Sequence, residues 1–383
     1  QSISAVCLDE IGLAEDSKHL PLKVLHQLLD DSVVRKQQQK MQQRDRHEVL
    51  LPPVSMLGIS NWALDPAKLN RGIFLLRDSP NTDELVASAL GIVSRASSQS
   101  VIQLLRPLAE VYQRIYAKQR DSTHNTEMFG LRDFYFLIKH VSCSASISGS
   151  LSKRDLEMCV RRNFDGTAMI GEYVDMFFDA CSAHLEPDGS LQSDLITSLD
   201  LVNASLNQAS MFPDIDSRFL LVLTENDGAM DLLRYSSLKD VLSAPIPIHG
   251  SSFPDDLDSL QSQAQTVNRI KGAMEQGKTV LLINCDSVHE CLYDLLNQSY
   301  TKIGGKRYVQ LGLGHERKKV CVHADFRLIV VADKGHVERN YPTPLKNRFE
   351  KHILVHEDIM TDQQITLMRA IERFTIGESD GDI

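Results

Sequence analysis

The 383-residue sequence predicts an α/β protein in which one kind of module occurs twice: part of a parallel sheet backed by an all-α region, then a second, degenerate α/β domain. Three observations predict this. Short apolar runs ending in polar residues recur over residues 3–77 and again from residue 219, the pattern of parallel strands buried on both faces. Segments with apolar residues at helical spacing alternate with those runs, which implies a parallel sheet. Both halves also close on an Asn-Arg pair before a last apolar run: Asn70-Arg71 in KLNRGIFLL and Asn347-Arg348 in LKNRFEKHILV.

The first strand is Ile3 to Glu10, a buried run with two acids at its end. Helical spacing follows over Pro21 to Leu29, with the proline suited to a first helical turn. Residues 35–46 are Gln-rich and basic and read as an exposed insertion. Val54 to Asn61 is a second buried strand, 65–70 a short helix, and Gly72 to Arg77 a third strand. From Thr82 to about Val202 the spacing is helical, and a polar stretch around Asn203 to Asp216 reads as a linker. Strands and helices then resume. Strands are expected at Phe219–Thr224, Ile246–His249, Thr279–Asn284, Phe326–Ala332 and His352–His356, the second of them at an edge because of its prolines. Helices are expected from Ala229, over Gln261–Gln276 and over 287–300. The domains are therefore 1–80, the C-terminal half of a large domain; 81–205, a helical lid; 206–218, a linker; and 219–383, a second large domain.

Composition excludes several classes. A formal net charge of −10 argues against a nucleic-acid surface, which needs clustered cations to displace counterions. No apolar run reaches the length of a membrane span. Seven cysteines at irregular spacing, with no CxxC pair, point to reduced thiols and a cytoplasmic protein. Cys181 and His184 have a CxxH spacing, but no second pair stands near them to complete a zinc site. The sequence opens without a Met or a leader and directly on a strand, so a fragment of a longer chain is expected.

The strongest local signal is the strand ending in Asp9-Glu10, the pattern of a Walker B motif. An Asp there holds Mg²⁺, usually through water, and the adjacent Glu polarises the water that attacks a γ-phosphate. Both need to emerge at the carboxyl edge of the sheet, where nucleotides sit. Asn61, at the end of the next strand, stands where its amide helps to hold that water. Arg71, ten residues on at the end of a short helix, has the position of an arginine finger directed at a neighbouring site. Arg132 opens a helix of the all-α region, where its planar guanidinium can fold back onto a phosphate. These four features in this order indicate an AAA-type nucleoside triphosphatase whose P-loop is expected upstream of Gln1.

The runs LDEIGLAEDSKHLPLKVLHQLL, GISNWALDPAKLNRGIF and FGLRDFYFLIKH resemble the AAA modules of the mysterin (RING finger protein 213) family. RFLLVLTEN, GSSFPDD, LYDLLNQSY, GGKRYVQLGLG, FRLIVVADK and PLKNRFEKH resemble the module that follows, so the likeness covers nearly the whole chain. The resemblance implies a giant cytosolic E3 ubiquitin ligase with a dynein-like ring of six AAA modules, this chain carrying most of the fourth and the fifth. It implies ATP and Mg²⁺ as cofactors, with zinc only in parts of the parent outside these residues. Implied partners are the neighbouring AAA modules of the same polypeptide, and a ubiquitin-conjugating enzyme and ubiquitin through regions not present here. Two alternatives stand beside it: a dynein- or midasin-like motor without ligase activity, and a non-hydrolysing scaffold that nucleotide only stabilises. The 383 residues alone are expected not to hydrolyse ATP.

Gly272 to Thr279 fits the P-loop formula G-x-x-x-x-G-K-[ST], but a helix precedes it and a strand follows, the reverse of a phosphate cradle. The glycines read instead as a helix C-cap and turn. In the second module the P-loop position reads Glu225 to Met230, the Walker B position Asn284-Cys285-Asp286 and the sensor position Ala332-Asp333. That module is expected to be catalytically dead. Arg348 survives at its finger position, where in a ring it faces the nucleotide of the module holding Asp9 and Glu10; the plainer alternative is a surface arginine pairing with Glu350 or capping a helix end.

Overall fold

A computed structural model describes residues 5–9, 11–14, 22–23, 55–60, 63–93, 99–121, 127–186, 196–207, 218–225, 245–251, 253, 259–313, 316–354, 360 and 362–376. The chain divides into two compact units, residues 1–79 and 80–383.

In the 1–79 unit, β1 (Ala5–Leu8) pairs in parallel with β2 (Ser55–Gly58), Leu8 opposite Gly58. The ladder continues past both strands: Ile59 N–H donates to the Leu8 carbonyl and Ile11 N–H to the Ile59 carbonyl, each at 2.9 Å. Helix α1 (Pro66–Leu69) starts where expected, with Pro66 in its first turn and the Asp65 carboxylate accepting from Ala67 N–H. Two expectations fail here. The strands form, but their faces are open, with Val6, Leu57 and Ile59 all exposed. Residues 72–77 make no strand, and Ile73, Phe74, Leu75 and Leu76 are exposed. A strand exists only through its ladder partners, and no described residue pairs with this run. The expected helix 21–29, apart from Leu22 and Lys23, and the insertion 35–46 lie outside the described residues.

In the 80–383 unit, helices α2 (Thr82–Ile92), α3 (Gln99–Asp121), α4 (Leu131–Ser148), α5 (Lys153–Phe164), α6 (Ile170–Cys181) and α7 (Ser198–Leu206) form the all-α region. Their starts are written locally: Asn81/Glu84, Ser152/Asp155 and Thr197/Asp200 are capping boxes, each satisfying two otherwise orphaned N–H groups. Apolar faces meet in a core that includes Leu85, Leu108, Phe134, Phe164 and Phe177. The helix α7 runs through Asn203 to Leu206, past the expected start of the linker, because Val202 and Leu206 pack against the following sheet.

That sheet is five-stranded and wholly parallel, with its strands side by side in the order 349–353, 219–224, 327–333, 279–283 and 246–249. Its strands are β3 (Phe219–Thr224), β4 (Ile246–His249), β5 (Thr279–Ile283), β9 (Arg327–Asp333) and β10 (Phe349–Ile353), with β4 at the edge its prolines require. The long helix α8 (Leu260–Gln276) packs its buried face on the core. The expected helix 287–300 breaks into two 3₁₀ turns and a short helix α9 (Tyr293–Leu296). A three-stranded antiparallel sheet, β6 (Thr301–Ile303), β7 (Lys306–Leu313) and β8 (Glu316–Val322), follows it. Sequence reading passed over this sheet although Gly304-Gly305, both at positive φ, is a strong hairpin turn signal. Helices α10 (Lys334–Asn340) and α11 (Thr343–Lys346) connect β9 to β10, and α12 (Asp362–Ile376) closes the described chain.

Candidate functional site

The carboxyl ends of β1 and β2 lie side by side because the two strands are parallel and in register. Asp9 leaves β1 at that edge with an exposed side chain, and Ser60 leaves β2 beside it. Glu10 and Asn61 are the next residues of the two strands but lie outside the described residues. Arg71 follows α1 and turns its guanidinium back onto the Ala67 carbonyl.

At the second sheet the corresponding edge is occupied by the protein itself. Asp286, one residue beyond the turn that ends β5, accepts hydrogen bonds from Tyr341 Oη at 2.6 Å and pairs with His336 Nε2 at 2.5 Å. Asp333, at the end of β9, caps α10 by accepting from His336 N–H at 2.7 Å. Burial first, and then the Asp286 carboxylate, push the Tyr341 hydroxyl far above its ordinary range. The P-loop-like stretch has the inverted order: Gly272 is inside α8, Gly277 is its left-handed cap at φ +70°, and β5 begins at Thr279. Of the P-loop position only Glu225 is described.

Arg348 sits at the other edge. It immediately precedes β10, so about 16 Å of strand separates it from its own sheet's carboxyl edge. It is 3% exposed, so it is not a surface residue, and its alternative partner Glu350 is bound to Arg162 instead; the other plain alternative, capping a helix end, holds at α11, which contains Pro344. Arg348 Nε donates to Asn297 Oδ1 at 2.7 Å, Nη1 donates to the Pro344 carbonyl, and the guanidinium lies 4.3 Å from the centre of the Tyr293 ring. Arg132, exposed in the first turn of α4, donates from Nη2 to the same Asn297 oxygen at 2.9 Å. Two arginines singled out separately from sequence thus converge on one amide. Behind them, the Asn347 amide rests on Gly130, the residue that caps α4; a Cβ at Gly130 would lie 2.3 Å from Asn347 Nδ2.

A buried ionic seam fastens this corner and was not foreseen. Asp133, fully buried, accepts from Arg218 Nη1 at 2.6 Å, Lys351 Nζ at 3.0 Å and Gly130 N–H at 2.8 Å. Glu350 takes both Arg162 Nε and Nη2, a bidentate pair at 2.8 and 2.9 Å, and His352 bridges Glu350 and Asp165. Burial opposes ionisation of Glu350, but the Arg162 charge and the His352 hydrogen bond outweigh it and hold the carboxyl well below the usual range. Burial likewise opposes a charged His352, and its two carboxylate partners raise it above the ordinary value. Lys351 is lowered to about 8, by burial first, with Asp133 opposing the fall. The sequence hid this seam because Glu350 and Lys351 read as polar residues before a strand, whereas β10 includes both.

Two family models match the chain, each described as an RNF213 AAA domain: the fourth of that series over residues 1–84 and the fifth over residues 209–360. The chain is 40% identical over 382 residues to the E3 ubiquitin-protein ligase RNF213 of Mus musculus and 38% identical over 382 residues to that of Homo sapiens. It is 40% identical over 358 residues to the E3 ubiquitin-protein ligase rnf213-beta of Danio rerio. These alignments cover 98%, 97% and 91% of the chain, and the chain spans 7% of the length of each of these relatives. Among the described residues, no helix is long and apolar enough to cross a membrane.

Proposed function

This chain belongs to the RNF213 AAA domain family, and from that premise we propose that it forms an ATP-binding and ATP-hydrolysing part of a giant ring-shaped E3 ubiquitin-protein ligase. The first module carries the chemistry and the second contributes an arginine to it. The observation that carries this reading is the meeting of Arg132 and Arg348 on Asn297, at the edge of the second sheet remote from that sheet's own nucleotide position. A guanidinium kept there serves no chemistry of the second module, where Asp286 and Asp333 are engaged by His336 and Tyr341.

Of the residues named for MgATP at the first module, Asp9 is described, and its chemistry suits the group. Asp9 offers an exposed hard-oxygen donor at the carboxyl edge of a parallel pair, as a water-linked Mg²⁺ site needs. Bound there, MgATP supplies the phosphoanhydride bond and a cation that draws charge from the leaving phosphate. Glu10 takes the proton of the attacking water, and Asn61 orients that water through its amide. Arg132 and Arg348 neutralise charge on the γ-phosphoryl group, and Arg71 plays the corresponding part for another module of the same polypeptide. Ubiquitin transfer, with its conjugating enzyme and zinc-binding segments, belongs to the rest of the parent chain. The irregular spacing of the seven cysteines in the sequence is what supports a cytoplasmic setting.

The test is Glu10→Gln in the full-length parent. Turnover at this site falls about 10²–10⁴-fold while ATP binding is kept, because the amide has the size of the acid but cannot act as a base. Loss of ATP affinity with turnover per bound ATP unchanged would show that Glu10 is structural.

A further inference from the structure

We propose that Asn297 is a positioning residue that locks Arg132 and Arg348 into one phosphate-reading unit, with the buried arginine bracing the exposed one. The proposal rests on the nucleotide reading above and deepens it.

Three observations carry it. First, Asn297 Oδ1 accepts from both guanidinium groups, at 2.9 Å from Arg132 Nη2 and 2.7 Å from Arg348 Nε. Guanidinium groups only donate, so the atom between them has to be the amide oxygen; the opposite amide orientation would set an NH₂ against two donors. Second, the two arginines differ in access. Arg132 is exposed on the first turn of α4, whereas Arg348 is 3% exposed and further held by the Pro344 carbonyl and the Tyr293 ring. Arg348 is thus a fixed cation behind the exposed Arg132, with Asn297 between them. Third, Asn297 is itself well anchored: it caps α9, its N–H donating to the Tyr293 carbonyl at 2.8 Å, so the same short helix supplies both the shared acceptor and the ring under Arg348.

The chemistry of the acceptor matters. Asn297 is a neutral amide, so this contact fixes the geometry of two cations while taking up none of their charge. A carboxylate in its place would hold the guanidiniums more tightly but would compete with phosphate for them. A residue with only a structural task would show the reverse preference, tolerating or favouring the acid.

The experiment is ATP turnover by the full-length parent with hydrolysis at every other nucleotide site silenced, comparing Asn297→Asp, Asn297→Leu, Arg132→Ala and Arg348→Ala. Asn297→Asp keeps the size and the acceptor, so it folds. It is expected to lower kcat about 10²-fold, the scale of losing one preorganised charge donor, with the Kd for ATP changed less than about threefold. Asn297→Leu is expected to lower kcat similarly and to make the effects of Arg132→Ala and Arg348→Ala additive, where in the native background they overlap. Turnover of Asn297→Asp within twofold of the native value, alongside a large loss in Arg132→Ala, would overturn this inference and leave the nucleotide reading intact. No loss in either arginine variant would instead remove the nucleotide reading on which it rests.

Discussion

Two apolar runs follow an Asn-Arg pair in this chain, and they end in opposite states. After Asn347-Arg348, Phe349–Ile353 forms β10 and lies in parallel against β3, Phe349 opposite Phe219 and Ile353 opposite Leu223. After Asn70-Arg71, Ile73 and Leu75 are 93% and 85% exposed, and no described residue forms a ladder with the run. As sequence the exposed run is the more apolar of the two, since β10 carries Glu350, Lys351 and His352; the neighbours decide. β10 has β3 at its side and the ionic seam from α4 and α5 above it, so even Glu350 and Lys351 are buried with partners. Local pattern proposes a strand, and tertiary partners decide whether it exists. At the carboxyl edge of the second sheet, Asp286 is committed to His336 and Tyr341.

This comparison can be broken at the seam or sharpened at the exposed run. The largest effect is expected from Asp133→Ala, which leaves the buried Arg218 and Lys351 charges without their shared carboxylate and should cost about 3–5 kcal/mol in denaturant unfolding. A loss under about 1 kcal/mol would mean that water reaches the seam. A smaller, pH-dependent effect comes from Glu350. Its carboxyl is held below the usual range in the folded chain, so its stabilisation is present above the ordinary carboxylate pKa and is lost as pH falls through the depressed folded value. The slope from one such group is at most about 1.4 kcal/mol per pH unit. His352 has the opposite sign: with its folded pKa raised, its contribution is complete below about pH 6.5 and lost as pH rises through the raised value. Lys351, lowered to about 8, adds stability as pH climbs from there toward the ordinary lysine value of 10.5. Thermal melts across pH should therefore show an acid arm that Glu350→Gln flattens; an unchanged acid arm would show that Glu350 is not the group responsible. The smallest effect is expected from Leu75→Ser, within about 0.5 kcal/mol in this chain because the side chain is already in water. A cost of 2 kcal/mol or more would show that 72–77 is paired after all.

Much of this was legible in sequence. Apolar runs placed β1, β2 and four of the five parallel strands, whereas β10 was expected at 352–356 and begins three residues earlier, and the proline pattern of Ile246–His249 put β4 at the edge. The inverted P-loop was legible because helix-then-strand order is written in periodicity, and Gly277 is the left-handed cap that order demands. The seam was not, since Asp133, Arg162 and Glu350 gain their burial only from one another across α4, α5 and β10. Asn297 was hidden for a related reason: an amide at a helix end has no pattern of its own until two arginines, far apart in sequence, meet on it. Arg132 and Arg348 were named from sequence, but their shared acceptor and the burial of Arg348 come only from the fold.

The central claim is that an arginine of the second module serves ATP chemistry of the first. Its most direct test is single-site ATP turnover in the full-length parent carrying Arg348→Ala, with every other nucleotide site silenced. Turnover is expected to fall about 10³-fold or more while ATP remains bound and the second module keeps its native melting transition. Native turnover in that variant would contradict the account and leave Arg348 as a buried brace with no part in the reaction.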